Sequence, residues 1–349
     1  MTLRGVDAPF PWFGGKKAVA DRVWIGLGKI DHYVEPFFGS GAVLLRRPHA
    51  AGVETVNDAD GLLANFWRAV RIDPTAVAAH ADWPVNEADL HARHLWLVGR
   101  REALTEALMS DPDWCDVQAA GWWVWGLCAW IGSGWCSGNG PWRLIDGRMT
   151  DVRKLPHLGD AGRGVNRKLP HLGDAGRGVN RQLPHMGDAG QGVNRQLPHL
   201  GNAGQGVEAW FHALADRLRG VRVSCGDWSR VVGSSVLRAG GGVCGVFLDP
   251  PYDQGERADV YAMESKVAGA VRAWCLANGS DPALRVVLAG YAGEHDVLEA
   301  AGWWVEAWKA RGGYGSQGEG RGRDNAVRER LWFSPHCLGG PTDLFGVAA

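Results

Sequence analysis

The sequence has no apolar run long enough to cross a bilayer. Its longest runs are a few residues, as in Ala42-Val43-Leu44-Leu45, where a spanning helix needs ~20. No charged stretch followed by an apolar core opens the chain, which argues against a secretory signal. No pair of cysteines has C-x-x-C spacing. The seven cysteines, at 115, 128, 136, 225, 244, 275 and 337, are odd in number and scattered. That argues against a disulfide framework and a structural zinc site, and fits a reducing compartment. Neither sign of charge is in excess: 37 Lys and Arg against 38 Asp and Glu leave a net charge of −1. A nucleic-acid partner is therefore compatible only with a local basic surface. With 46% hydrophobic residues the chain is not disordered throughout.

Glycine (51) and tryptophan (19) are abundant. Glycine predicts many turns; tryptophan supplies bulky packing and surfaces on which bases can stack. Tyr33 to Glu35 reads as a strand, followed by a glycine turn at 37–41 and a helix opening over Ala42 to Arg46. Val53 to Val56 reads as a second strand ending at Asn57-Asp58, and Leu62 to Arg71 as a helix. Residues 72–125 read as helical, Gly121 to Trp130 as a buried helix, and 131–150 as a loop or hairpin. After residue 208 an α/β pattern resumes. Helices are expected over Trp210 to Leu218 and Val267 to Leu276. Strands are expected at Val221 to Ser224, Gly245 to Leu248 and Arg285 to Ala289, with a closing pair at Trp303 to Trp308 and Arg330 to Ser334. Arg311 to Arg323 reads as a glycine- and arginine-rich loop. Strands alternating with helices predict a mostly parallel, doubly wound sheet.

A 14-residue unit beginning at Lys154 recurs at 168–181 and 182–195, and partly at 196–207. Its proline and glycines exclude long helices. The first copy sets Lys154, Arg163 and Arg167 against Asp160, a charge of +2. The second sets Lys168, Arg177 and Arg181 against Asp174, again +2; the third is neutral. Two readings stand: an extension that touches phosphates, or a spacer loop. The recurring His157, His171, His185 and His199 repeat because the whole unit repeats, and no metal is expected there.

Three clusters carry chemistry. In Asp249-Pro250-Pro251-Tyr252 an apolar strand runs into an acid, two prolines and an aromatic ring. Ligands of such sheets bind beyond the carboxyl ends of the strands. A carboxylate and a free carbonyl accept both hydrogens of an exocyclic amine, and Tyr252 stacks on a planar ring, as a flipped nucleobase requires. A strand-ending turn with a stacked tyrosine is the alternative. The turn Phe37-Phe38-Gly39-Ser40-Gly41 suits close approach of a ligand to the backbone or is simply tight. Asp58 suits a ribose hydroxyl or a helix N-cap. In Trp12-Phe13-Gly14-Gly15-Lys16, Lys16 neutralises a carboxylate or sits in a solvated turn. Cys244 reads as a core residue rather than a nucleophile.

In that order, Trp-x-Gly-Gly-Lys, Glu35-Pro36-Phe37-x-Gly-x-Gly, a strand-terminal Asp and Asp-Pro-Pro-Tyr resemble the Dam-like DNA N6-adenine methyltransferases, in the arrangement of the alpha group of amino-methyltransferases. The resemblance covers roughly residues 9–70 and 208–335, with a weaker echo at Trp125-Gly126-Leu127-Cys128 near the family's DNA-reading hairpin. The 14-residue repeats depart from the family.

The resemblance implies a Rossmann-like methyltransferase fold: a doubly wound mixed sheet with an inserted helical or hairpin target-recognition domain. The catalytic domain would comprise 1–71 and 208–336, the insertion 72–207, and the tail 337–349. It implies S-adenosylmethionine as cofactor, duplex DNA as partner, and a cytoplasmic, bacterial or phage-encoded, nucleoid-associated enzyme. Trp12, Gly14, Gly15 and Lys16 would line the methionine end. Glu35, Pro36, Phe37, Gly39 and Gly41 would form the turn beneath the cofactor, Asp58 would bind the ribose, and Asp227 with Trp228 would contact the cofactor's adenine. Asp249, Pro250, Pro251 and Tyr252 would hold the target amine and base, Asp249 also bordering the cofactor. Asp249 favours adenine N6; cytosine N4 or RNA amine methylation, and a DNA-binding relative without catalysis, are the alternatives. The tail Pro341-Thr342-Asp343-Leu344-Phe345 resembles sliding-clamp docking motifs, or folds back onto the body.

Overall fold

Seven strands form one sheet in the order β5-β2-β1-β6-β7-β9-β8. They are β1 (His32–Glu35), β2 (Val53–Asp58), β5 (Val221–Cys225), β6 (Cys244–Leu248), β7 (Leu284–Tyr291), β8 (Trp304–Ala307) and β9 (Glu329–Phe333). All neighbours from β5 to β7 run parallel, and β9 lies antiparallel between β7 and β8. A separate two-stranded hairpin joins β3 (Trp142–Ile145) to β4 (Arg148–Asp151). The helices are α1 (Ala20–Leu27), α2 (Gly61–Ile72), α3 (Pro74–Ala81), α4 (Glu87–Ser110), α5 (Val117–Ala129), α6 (Val207–Leu218), α7 (Ser234–Leu237) and α8 (Tyr261–Asn278). This computed structural model describes residues 6–12, 16–49, 52–111, 113–130, 134–136, 142–145, 148–151, 206–251, 261–308 and 328–340, with backbone alone at 142–145, 148–151 and 261–265.

The mostly parallel, doubly wound sheet expected from the alternating pattern is present, antiparallel β9 makes it mixed as the resemblance implies, and it is consistent with a Rossmann-like methyltransferase fold. Its physical basis is the two-residue period of a strand. Tyr33, Phe247, Val287, Leu331 and Phe333 face one core, filled by Val23 and Leu27 of α1, Phe66 and Trp67 of α2, and Phe211 of α6. Val34, Val246, Leu248, Val286 and Trp332 face the other, covered by Leu237 of α7 and Val271 and Cys275 of α8. A strand buried on both faces reads as an unbroken apolar run, as in β6.

The helices α3, α4 and α5 pack on α2 and α6 and share the first core. Their boundaries come from side-chain caps. Asp73 closes α2 and opens α3, accepting from Ala76 N at 2.9 Å, with Pro74 at the first position. Asn86 caps α4 and Asp116 caps α5. Asn65 and Asp116 exchange two hydrogen bonds of 2.8 Å, which fasten the start of α5 to α2. The buried helix expected around Gly121 to Trp130 is α5, apolar on all sides.

One expected element differs. Ala42 to Arg46 does not open an α-helix; only a 3₁₀ turn forms at Leu44–Arg46. Pro48 follows Arg47, and the residue before a proline is driven out of the helical region. Arg47 accordingly sits at ψ 120°. The extended loop brings Arg47 to Glu54 of β2 at 3.0 Å, and Arg217 of α6 grips the same carboxylate at 2.7 and 2.9 Å. Glu54 and Arg47 are each 1% exposed in their side chains. Arg217 also donates to the Leu44 carbonyl, so α6 is clamped to both β2 and the turn. All seven cysteines are described and none is in a disulfide. Cys244 is buried as expected of a core residue, and burial pushes its thiol up to about 12.

Candidate active site

The chain leaves β1 towards β2 and β5 on one side, and towards β6 and β7 on the other. The carboxyl ends of β1 and β6 therefore flank the point where the strand order reverses, where open α/β sheets bind ligands. Glu35 ends β1, Asp58 ends β2, and Asp249 follows β6 directly. Three carboxylates thus share one end of the sheet, and the side chain of Lys16 reaches that of Asp249.

Lys16 Nζ lies 2.9 Å from Asp249 Oδ1, with the lysine 5% and the aspartate 21% exposed. The residue pattern alone allows Lys16 a carboxylate or solvent; it meets the carboxylate of Asp249. Glu35 is buried, and burial holds its carboxyl well above the usual range. The Tyr33 hydroxyl donates to Glu35 at 2.9 Å and opposes that rise, while the charges of Asp249 and Asp58 add to it. Burial is also the largest cause raising Asp58, to about 6, although part of the residue still reaches solvent. Bonds from the Asp60 and Gly39 amides counter it, Oδ1 accepting from Asp60 N and Oδ2 from Gly39 N, both at 2.9 Å.

Asp58 is therefore not the helix cap; Asp60 caps α2, accepting from Leu62 N at 3.0 Å. Gly39 and Gly41 have φ of 49° and 64°, the left-handed region that a side chain disfavours. The space where a Cβ of Gly39 would point is filled by the Trp12 indole, and Trp67 Nε1 donates to the Gly39 carbonyl at 3.0 Å. Trp12 itself leans on Phe10 and Trp123, so α5 supports the roof of the turn. Phe37 and Trp228 stack with centroids 6.1 Å apart. Asp227 is exposed and caps a 3₁₀ turn through Ser229, bonds that hold its carboxyl below the usual range. Pro250 is buried and Pro251 exposed. Gly14, Gly15 and Tyr252 lie outside the described residues, as do Arg311 to Arg323, nearly all of 154–207, and the tail motif at 341–345.

Sequence reasoning passes over Asn57. Its Nδ2 donates to the carbonyls of Pro36 (3.1 Å) and Gly226 (2.9 Å), and its own backbone carbonyl accepts from Phe38 N. One buried residue of β2 thus stitches the loops after β1 and β5 to the end of its own strand. Only its place beside Asp58 at a strand end hints at this.

Residues 12–84 match the family model of the D12 class N6 adenine-specific DNA methyltransferases. The match indicates an adenine-specific DNA methyltransferase, in keeping with a Dam-like enzyme. It spans Trp12, Lys16, the Glu35–Gly41 turn and Asp58; Asp227, Trp228 and Asp249 lie beyond it. A comparison with curated proteins gives no match. Among the described residues no helix is long and apolar enough to cross a membrane.

Proposed function

We propose that this protein moves a methyl group from S-adenosylmethionine to N6 of an adenine rotated out of duplex DNA, with Asp249 holding the amine. The observation that carries the reading is the Lys16–Asp249 pair at the switch point, at the same strand ends as the Gly39–Asp58 turn.

The residues present fit the cofactor. Gly39 and Gly41 bare the backbone on a left-handed turn. Asp58 accepts the Gly39 and Asp60 amides on separate oxygens, and its carboxylate has acceptor capacity beyond its amide partners for a hydroxyl. Phe37 and Trp228 offer an aromatic surface for a purine. When bound, S-adenosylmethionine supplies an electrophilic methyl group on a sulfonium.

The protein's own share is positioning and electrostatics. The adenine amine is a poor nucleophile because its lone pair is delocalised into the ring. Asp249 and the Pro250 carbonyl accept its two hydrogens, favouring a more tetrahedral nitrogen, and Tyr252 stacks on the base. Lys16 balances the charge of Asp249 among the other two carboxylates. The segment 72–207, with its hairpin β3–β4, serves as the target-recognition insertion. The enzyme works in the cytoplasm, on bacterial or phage DNA.

Transfer of tritium from labelled S-adenosylmethionine to an adenine-containing duplex tests the reading. Label on cytosine, on RNA alone, or on nothing rejects it. Asp58→Ala weakens cofactor binding by about 1.5–3 kcal/mol, the worth of hydrogen bonds to a charged group. Calorimetry showing unchanged affinity removes Asp58 from the cofactor site.

The repeats act through phosphates, which position a protein without reading sequence. Deleting 154–181, which removes the two +2 copies, weakens duplex binding and flattens its salt dependence, by ~0.9 in log–log slope for each phosphate no longer neutralised. Deleting the neutral 182–195 does much less, and the methylated sequence is unchanged in both. Equal effects in binding titrations across salt leave the repeats as spacers.

A further inference from the structure

One run of hydrogen bonds leads out of the cleft to the loop ahead of the hairpin. It starts at Gly39 N, passes through Asp58 to Asp60 N, and continues from Asp60 Oδ2 to Arg101 Nη2 at 2.7 Å. The other end of the same guanidinium donates to the Cys136 carbonyl at 2.5 Å. Arg101 belongs to α4, and its planar fork meets both acceptors at once, which a lysine does not do.

The far end of this run is a built seat. Cys136 is the one non-glycine residue with positive φ among those described, at 52°. A side chain disfavours that conformation, so it persists where surroundings hold it. Arg101 holds its carbonyl, and its amide donates to His94 Nδ1 at 3.4 Å. Trp135, the residue before, lies against Gly126, where a Cβ would collide with the indole, and donates to the Trp123 carbonyl at 3.0 Å. Gly126 sits in the Trp125-Gly126-Leu127-Cys128 segment that the sequence singles out and that the cofactor cleft does not use. Beyond Cys136 the chain continues to β3, which begins at Trp142.

We propose that Arg101 is a positioning residue that couples cofactor binding to DNA binding. The proposal rests on the functional reading above. A ligand that fixes the Asp58–Asp60 turn fixes the carboxylate on which Arg101 leans. Arg101 then holds residues 134–136, the described residues that precede the hairpin in the chain, in one arrangement. Such coupling is reciprocal: the cofactor tightens DNA binding by the factor by which DNA tightens cofactor binding.

The experiment measures duplex affinity with and without S-adenosylhomocysteine, and S-adenosylhomocysteine affinity with and without duplex. Wild-type protein is expected to show a coupling factor in the range of about 5–150. Arg101→Gln is expected to bring the factor near one, with S-adenosylhomocysteine affinity in the absence of DNA unchanged. Arg101→Lys, which lacks the fork, behaves like Arg101→Gln. Gly126→Ala, which unseats Trp135 with Arg101 in place, also loses the coupling and carries the test should the arginine variants fail to melt cooperatively. A coupling factor kept in the variants, even with both affinities lowered, is the signature of a merely structural arginine and overturns the proposal. So does wild-type protein without coupling. Failure of the functional reading looks different: no S-adenosylhomocysteine binding to wild-type protein at all.

Discussion

Asp249→Ala lowers methyl transfer to duplex DNA by about 10²–10³-fold, the cost typical of losing one preorganised group at the reacting centre. Cofactor affinity does not fall with it. The carboxylate acts on the amine, and its loss removes the 2.9 Å pair with Lys16 while leaving the Gly39–Asp58 turn untouched. Asp249→Asn retains an oxygen acceptor but loses the charge that Lys16 balances, and falls between alanine and wild type. Single-turnover rates with calorimetric cofactor affinities separate these outcomes. Wild-type rates in the alanine variant remove Asp249 from the chemistry.

Glu54→Ala destabilises the fold by about 3–5 kcal/mol, the cost of breaking a buried ion pair from one side. Glu54 binds Arg47 and Arg217 together, and Arg47 is as deeply buried as Glu54 itself. Removing the carboxylate leaves two guanidinium groups with the Ile30 and Leu44 carbonyls and, for Arg47, the Trp24 ring 5.4 Å away, none of which carries a compensating charge. The shift in urea midpoint measures the effect. A loss below about 1 kcal/mol, the worth of an exposed pair, shows that water reaches the arginines.

Much of this architecture is legible in the sequence because strand and cap signals are local. Runs such as Cys244 to Leu248 reveal a doubly buried strand, and Gly39 and Gly41 mark a turn that the backbone does take through left-handed conformations. The helix expected over Ala42 to Arg46 shows the reverse: Pro48, one residue past Arg47, outweighs the helical pattern. The α1 helix escapes a sequence reading, a short element between a lysine-rich turn and Gly28. Pairings across the chain leave no local mark. That Lys16 faces Asp249, that Asn57 ties two loops to β2, and that Arg101 spans Asp60 and Cys136 are properties of the folded sheet and bundle. In the sequence Arg101 is one arginine in Arg100-Arg101-Glu102, indistinguishable from a solvated helix face.

The place of β1 also dictates the order in which the molecule is made. His32 pairs with Val53 on one side and with Cys244 on the other. The first partner leaves the ribosome almost at once; the second follows the whole of 72–207. At ~5–20 residues per second, β1 keeps one naked edge for on the order of 10–40 s. The helices α2, α3 and α5 touch one another within a short span of chain, so they collapse first. The nascent protein is thus a helical knot carrying two of the sheet's seven strands, and an unpaired edge of that kind recruits strands from neighbouring chains. Crowded polysomes are where this protein is most exposed to aggregation, and a chaperone that covers the β1 edge until β6 emerges protects it there.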